Sequence, residues 1–110
     1  MKIITELNKK LYFVDEDLLD EKNKGTIPTY KQMLLRLACN PTPKDADEGV
    51  WSFQVAIKIR SATGDSVQLE DADFRLLWNR AKENVLGWNS AYIGQIKLKL
   101  EESQQAEKKE

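Results

Sequence analysis

The chain has 110 residues, 41% of them apolar, with 17 basic against 18 acidic side chains and a formal net charge of −1. That length suits one domain able to bury roughly two-thirds of its extended-chain surface, and the even charge argues against a dedicated nucleic-acid binder, which carries a basic excess. Histidine is absent and cysteine occurs once, which removes the commonest proton-transfer group and metal ligand, any internal disulfide and most nucleophile–base pairs.

The first fourteen residues predict a β-hairpin. Ile3, Ile4, Leu7, Leu11, Tyr12 and Phe13 are strand formers, and Asn8-Lys9 between them supplies a turn in which Asn tolerates left-handed backbone. Glu6, Lys9 and Lys10 interrupt what a signal peptide would keep apolar. No apolar run approaches the ~20 residues needed to span a bilayer, so a cytoplasmic protein with no membrane contact is expected. A charged stretch from Asp15 to Gly25 reads as a solvated connection broken only by Leu18-Leu19.

Thr29 followed by Gln32 fits a capping box, in which the hydroxyl and the amide satisfy orphan backbone donors reciprocally. Tyr30, Met33, Leu34, Leu37 and Ala38 then form one apolar stripe, and Asn40-Pro41 stops the helix.

The next segment is ambiguous in its period. Trp51, Phe53, Val55, Ile57 and Ile59 alternate with Ser52, Gln54, Ala56, Lys58 and Arg60, as in a strand. Trp51, Val55 and Ile59 equally form a helical stripe, with Val50, Phe53 and Ile57 on a second face, a helix buried on two sides. Asp45 and Asp47 before it and Gly64 after it are helix punctuation. From periodicity alone, residues 50–60 stand evenly between helix and strand.

Val67 and Leu69 make a short extended link, and a further helix starts near Glu70 or Asp71. Phe74, Leu77, Trp78, Ala81 and Val85 form its apolar face, with Gly87 at the position of a Schellman cap. Asn89 or Ser90 caps a last helix whose face is Ile93, Ile96 and Leu100. The polar tail, 103–110, has nothing to bury and is expected to be disordered. The fold expected is mainly helical α+β: an N-terminal β-hairpin packed on three to four helices, one globular domain over 1–102, then the tail.

The order of these features resembles a group of small proteins encoded by tailed bacteriophages, most without an assigned function. The residues that carry it are Glu6-Leu7-Asn8-Lys9-Lys10, the helix from Thr29 to Ala38, Val55-Ala56-Ile57-Lys58-Ile59, Val67 to Asp73, and Gly94-Gln95 before Leu98 to Glu101. The chain departs from the group in lacking a glycine in the hairpin turn. The resemblance implies a helix for the middle segment and the host cytoplasm as location. It transfers no catalytic residue.

Candidate chemistry is sparse. Asp15, Glu16, Asp17, Asp20 and Glu21 lack the alternating ligands and central glycine of a calcium loop, and Glu70, Asp71 and Asp73 suit a helix start. Cys39 lies at a helix C-terminus, where the dipole opposes a thiolate, and reads as a small buried hydrophobe. Ser61 to Ser66 lacks the Gly-Lys-Ser/Thr ending of a phosphate loop and reads as a turn. No metal and no cofactor is expected, and no enzyme. Trp51 and Trp78 sit on apolar faces and read as core. Trp88, in a short link between helices, is a candidate partner contact together with Tyr92 and Lys97.

The function expected is that of a non-catalytic accessory protein acting by protein–protein interaction, as an assembly, regulatory or host-inhibitory factor with a host or phage protein as partner. Self-association is compatible with the Ile93, Ile96 and Leu100 stripe. The alternative is a nucleic-acid-binding regulatory protein that uses Lys58, Arg60, Arg75, Arg80 and Lys82 on the second and third helices. Interleaved acids and the want of a stacking aromatic on that face speak against it.

Overall fold

The computed structural model describes residues 1–12 and 27–108, with side chains as far as residue 103. Within them the elements run β1 (Lys2–Ile4), α1 (Tyr30–Cys39), α2 (Ala46–Ser61), β2 (Val67–Leu69), α3 (Asp71–Glu83) and α4 (Ser90–Lys108). The mainly helical α+β architecture is as expected. Phe13 and the charged stretch from Asp15 to Gly25 lie outside the described residues.

The hairpin is corrected. β1 pairs antiparallel with β2, setting Lys2 opposite Leu69, Ile3 opposite Gln68 and Ile4 opposite Val67. A chain reversal does occur near Asn8, where the Lys9 N–H donates to the Glu6 carbonyl at 3.1 Å. Its left-handed residue is Glu6, at φ 60°. The chain beyond the reversal does not return along β1, because its hydrogen bonds go elsewhere. The Tyr30 N–H donates to the Lys9 carbonyl (3.0 Å) and the Lys31 N–H to the Leu7 carbonyl (2.8 Å). Leu11 N–H bonds the Pro28 carbonyl at 2.9 Å. The reversal therefore serves as a cap on α1, satisfying two of the first four N–H groups that a helix leaves without internal partners.

The other cap on α1 is the one read from its sequence. Gln32 N–H donates to Thr29 Oγ1 (3.2 Å), and Thr29 N–H donates to Gln32 Oε1 (2.9 Å). Met33, Leu34, Leu37 and Ala38 are buried along its stripe. α2 lies across α1 as a helix, so the middle segment takes the helical alternative. Its C-cap is Ala62, and Gly64 takes a left-handed turn two residues later.

α3 ends in a Schellman motif three residues before the expected glycine. Asn84 takes the left-handed position at φ 49°, with Val85 N–H donating to the Arg80 carbonyl at 3.2 Å and Asn84 N–H to Ala81 at 3.1 Å. Asn is the commonest substitute for glycine there. Val85 falls outside α3 and is exposed. Asn89 caps α4, its carboxamide oxygen accepting from Tyr92 N–H at 3.3 Å. The helical backbone of α4 extends to Lys108. Ser103 belongs to the folded part, buried with its hydroxyl donating to the Lys99 carbonyl at 3.0 Å.

The core lies where α1 meets the others. Leu34 and Leu37 of α1, Val55 and Ile59 of α2, Leu77 of α3, and Ile96 and Leu100 of α4 are all closed to solvent, with Ile4 and Leu69 from the sheet below.

Candidate protein-binding surface

α2 begins at Asp45, whose carboxylate accepts the Glu48 N–H at 2.8 Å. Acids occupy its first turn and bases, Lys58 and Arg60, its last, both favoured by the helix dipole. Its inner face carries Ser52, Val55 and Ile59, all buried. Its second apolar face is not buried, which corrects the expectation of a helix packed on two sides. Val50 is 57% exposed, Phe53 56% and Ile57 46%. At about 100° per residue these three fall within an arc of about 60°. They form one stripe open to solvent.

The stripe continues into a shallow apolar hollow of about 310 Å³ beside the α1–α2 link, bordered by Cys39, Pro41, Pro43, Phe53 and Ile57. Cys39 is exposed rather than buried. α1 turns it away from its stripe, and its thiol donates to the Leu35 carbonyl at 3.0 Å.

The opposite side of α2 is held by two polar ties. Asp73 of α3 is almost fully buried and accepts Trp51 Nε1 at 2.7 Å and Lys58 Nζ at 2.6 Å. Burial alone would raise its pKa. The hydrogen bonds from Lys58 and Trp51 and the ammonium charge outweigh that and hold the carboxyl below its usual value, while the same hydrogen bond raises Lys58. Trp51 is thus a half-exposed hydrogen-bond donor at the edge of α2, not a core residue. Trp78 is half-buried too, stacked on Phe74 with ring centroids 6.3 Å apart.

The second tie is Arg80. It is 6% exposed, and one terminal nitrogen donates to the carbonyls of Leu37 (3.1 Å) and Ala38 (2.7 Å) at the end of α1. The other donates to Ser52 Oγ (2.7 Å) and pairs with Glu48 (3.3 Å) on α2. One planar guanidinium joins three helices, a geometry lysine cannot reproduce. Sequence reasoning missed both ties by reading Asp73 as a cap and Arg80 as a surface base. The signal was their spacing: Asp73 and Arg80 are seven residues apart, flanking the Phe74, Leu77 and Ala81 stripe on one side.

The basic residues considered for nucleic acid do not form one free patch. Arg80 is buried, Lys58 is engaged by Asp73, and Arg60, Arg75 and Lys82 remain exposed on two helices. Elsewhere a hollow between the α1–α2 link and α3 is lined by Glu48 and Glu83, with Glu48 committed to Arg80. Among the described residues no group of three or more Cys, Asp and Glu side chains is placed to hold a metal ion.

Trp88, Tyr92 and Lys97 are all half-buried. The Asn84 carboxamide grips the Trp88 backbone, accepting its N–H at 3.0 Å and donating to its carbonyl at 2.8 Å. Its ring packs against the core, as does Tyr92. Lys97 pairs with Glu101 at 2.7 Å and lies 3.9 Å from the centroid of the Trp78 ring. Five residues separate Tyr92 from Lys97, about 140° around the helix. The three do not share one face.

A third buried charge anchors the N-terminal segment. Lys99 of α4 reaches Glu6 at 2.7 Å and Glu102 at 3.4 Å. Burial would lower its pKa, but the Glu6 hydrogen bond and the two carboxylates raise it, and Glu6 is lowered in return by Lys99 first and Lys9 second. Among the described residues no helix is long and apolar enough to cross a membrane. Compared with protein-family models, curated proteins and solved structures, the chain matches none.

Proposed function

We propose that the chain is a non-catalytic binding protein that acts by occupying a surface of another protein chain, with the outer face of α2 as its contact. The observation that carries this is the open stripe of Val50, Phe53 and Ile57 on a helix whose other face is core. Exposed apolar side chains scattered singly are ordinary, but a contiguous group beside an apolar hollow marks an interaction site. An amphipathic helix presented this way reads its partner through anchors at i, i+3 and i+7. The resemblance to small phage proteins supports an accessory role in a bacterial cytoplasm. Trp88, Tyr92 and Lys97 would then contribute at most a secondary contact, because packing and pairing already occupy much of their surface.

The test is capture with purified, tagged chain from nuclease-treated bacterial lysate, uninfected and phage-infected, alongside a Phe53→Glu variant. The expected result is a protein retained by the native chain and lost by the variant. Identical sets retained by both would overturn the assignment.

A further inference from the structure

Resting on that assignment, we infer that the partner segment seated against α2 is acidic. An apolar side chain of that segment fills the hollow between α2 and the α1–α2 link, and carboxylates beside it meet Arg60, Arg36 and Lys44. The argument is the distribution of charge around the hollow. On α2 its border is Gly49, Ser52, Phe53, Ala56 and Ile57. Arg60 continues that border. It stands seven residues beyond Phe53, about 10 Å along the helix and within about 20° of it around the axis, with Ala56 and Ile57 one turn below on either side. From the other walls, Lys44 follows Pro43 directly, and Arg36 precedes Cys39 by about one turn of α1.

All three bases are exposed, and none has an ionic partner among the described residues. No acid answers them from this side. α1 and the link from Asn40 to Lys44 contain neither Asp nor Glu. The Asp45 carboxylate already accepts the Glu48 N–H at 2.8 Å. Glu48 is committed to Arg80 and borders, with Glu83, the separate hollow toward α3. Asp47 falls on the opposite flank of the Val50, Phe53 and Ile57 stripe, about 140° around α2 from Arg60. In a chain of net charge −1, three unopposed bases thus surround one apolar hollow.

Such a rim selects by sign. Carboxylates gain charge-assisted hydrogen bonds to the two guanidinium groups, whereas Lys or Arg in the same places is repelled. The apolar anchor supplies affinity, and the rim supplies specificity and encounter rate. A helical or extended segment with aliphatic or aromatic anchors among Asp and Glu has this chemistry. A bilayer or a duplex presents its anions over a broad surface, which three charges about one hollow do not match.

The experiment is selection from a display library of random peptides of about 16 residues, enough for about four helical turns. The bait is the purified full chain, and peptides that also bind Phe53→Glu are removed. Those retained through Phe53 are expected to carry apolar residues with Asp and Glu in excess over Lys and Arg, relative to the starting library. A synthetic peptide of the most enriched sequence, followed by fluorescence anisotropy, should lose affinity about threefold to tenfold on Arg60→Glu, and by a similar factor on Arg36→Glu. Its binding should weaken as salt rises. A peptide with its acids replaced by Lys should fail on the native chain and regain affinity for Arg36→Glu combined with Arg60→Glu. Both arginines are exposed, so the variants should keep the native circular dichroism spectrum.

Phe53-dependent peptides without an acidic excess, or indifferent to both arginine reversals, overturn the inference and leave the α2 face as a binding surface. Retention of phosphatidylserine vesicles or single-stranded DNA through Phe53 and Arg60 overturns it in favour of that surface. If no peptide is retained through Phe53 but lysate capture still depends on it, the binding assignment stands and the acidic segment falls. If neither depends on Phe53, both fall.

Discussion

Arg80 is the residue whose removal the fold should tolerate least. Replacing it with Met keeps most of the aliphatic stem and deletes only the guanidinium, so the loss is polar and not a matter of volume. The carbonyls of Leu37 and Ala38 stay behind at the buried end of α1 without their donor. Charge-assisted hydrogen bonds are worth about 1.5–3 kcal/mol each, and buried acceptors left unsatisfied carry most of that cost. Ser52 loses a partner as well, whereas Glu48 is accessible enough to rehydrate and adds little. The total is about 3–5 kcal/mol, against a stability of about 5–15 kcal/mol expected for a domain of this size. With a urea dependence of about 1–1.5 kcal/mol per molar, the midpoint should fall by about 3 M. Urea titration followed by tryptophan fluorescence and far-ultraviolet circular dichroism reads this directly. Arg80→Lys should recover less than half of the loss, because an ammonium cannot span both carbonyls and Ser52 at once. A midpoint shift below about 0.5 M for Arg80→Met would refute the assignment of Arg80 as the joint between α1, α2 and α3.

The α2 faces should separate cleanly in denaturation: Ile59→Ala is expected to cost about 2–4 kcal/mol, as for a closed core site, and Phe53→Ser under about 0.5 kcal/mol. Asn84→Ala should lower the melting temperature by about 8 °C or more and Asn84→Gly by about half that, since glycine accepts the left-handed backbone but still loses the grip on Trp88. Asp73 has a folded-state pKa below its unfolded value, so its contribution is present above about pH 4 and is lost as pH falls through the folded value. Acid titration of the native chain should show that loss, and Asp73→Asn should flatten it while lowering stability at neutral pH. A native chain equally stable at pH 2 and pH 6 would refute the Asp73 assignment.

The parts of the fold that were legible from residues alone are those fixed by local chemistry. Thr29 and Gln32 form their capping box because both partners lie within one turn, and the α1 stripe follows from a single clean period. What was not legible is pairing at a distance. Ile3 and Ile4 are strand formers wherever they pair, and nothing in their sequence neighbourhood points to Val67 and Leu69. The same limit hid Arg80: its identity is visible in the sequence, but its acceptors are carbonyls more than forty residues away. α2 shows a third case. A segment apolar on two faces satisfies the strand period and the helix period together, and no count of its residues says that only one face will meet the core.

That α2 is held by two buried polar ties and also carries an open apolar stripe bears on how it would bind under the proposed function. Trp51 and Lys58 fasten one edge of it to Asp73, while Glu48 and Ser52 fasten its inner face to Arg80. The ties fall in successive turns from Glu48 to Lys58, the same stretch that carries Val50, Phe53 and Ile57. Association generally costs free energy for ordering side chains and backbone at the contact, and a rigid, pre-positioned surface avoids much of it. The stripe is short, and its buried area alone would support only weak binding. Its usefulness as a contact therefore depends on the polar ties behind it. Asp73→Asn, which leaves every exposed atom of the stripe in place, should accordingly weaken association through α2 while Phe53 remains untouched. If binding were indifferent to that change, the face would act by area alone and the ties would serve folding only.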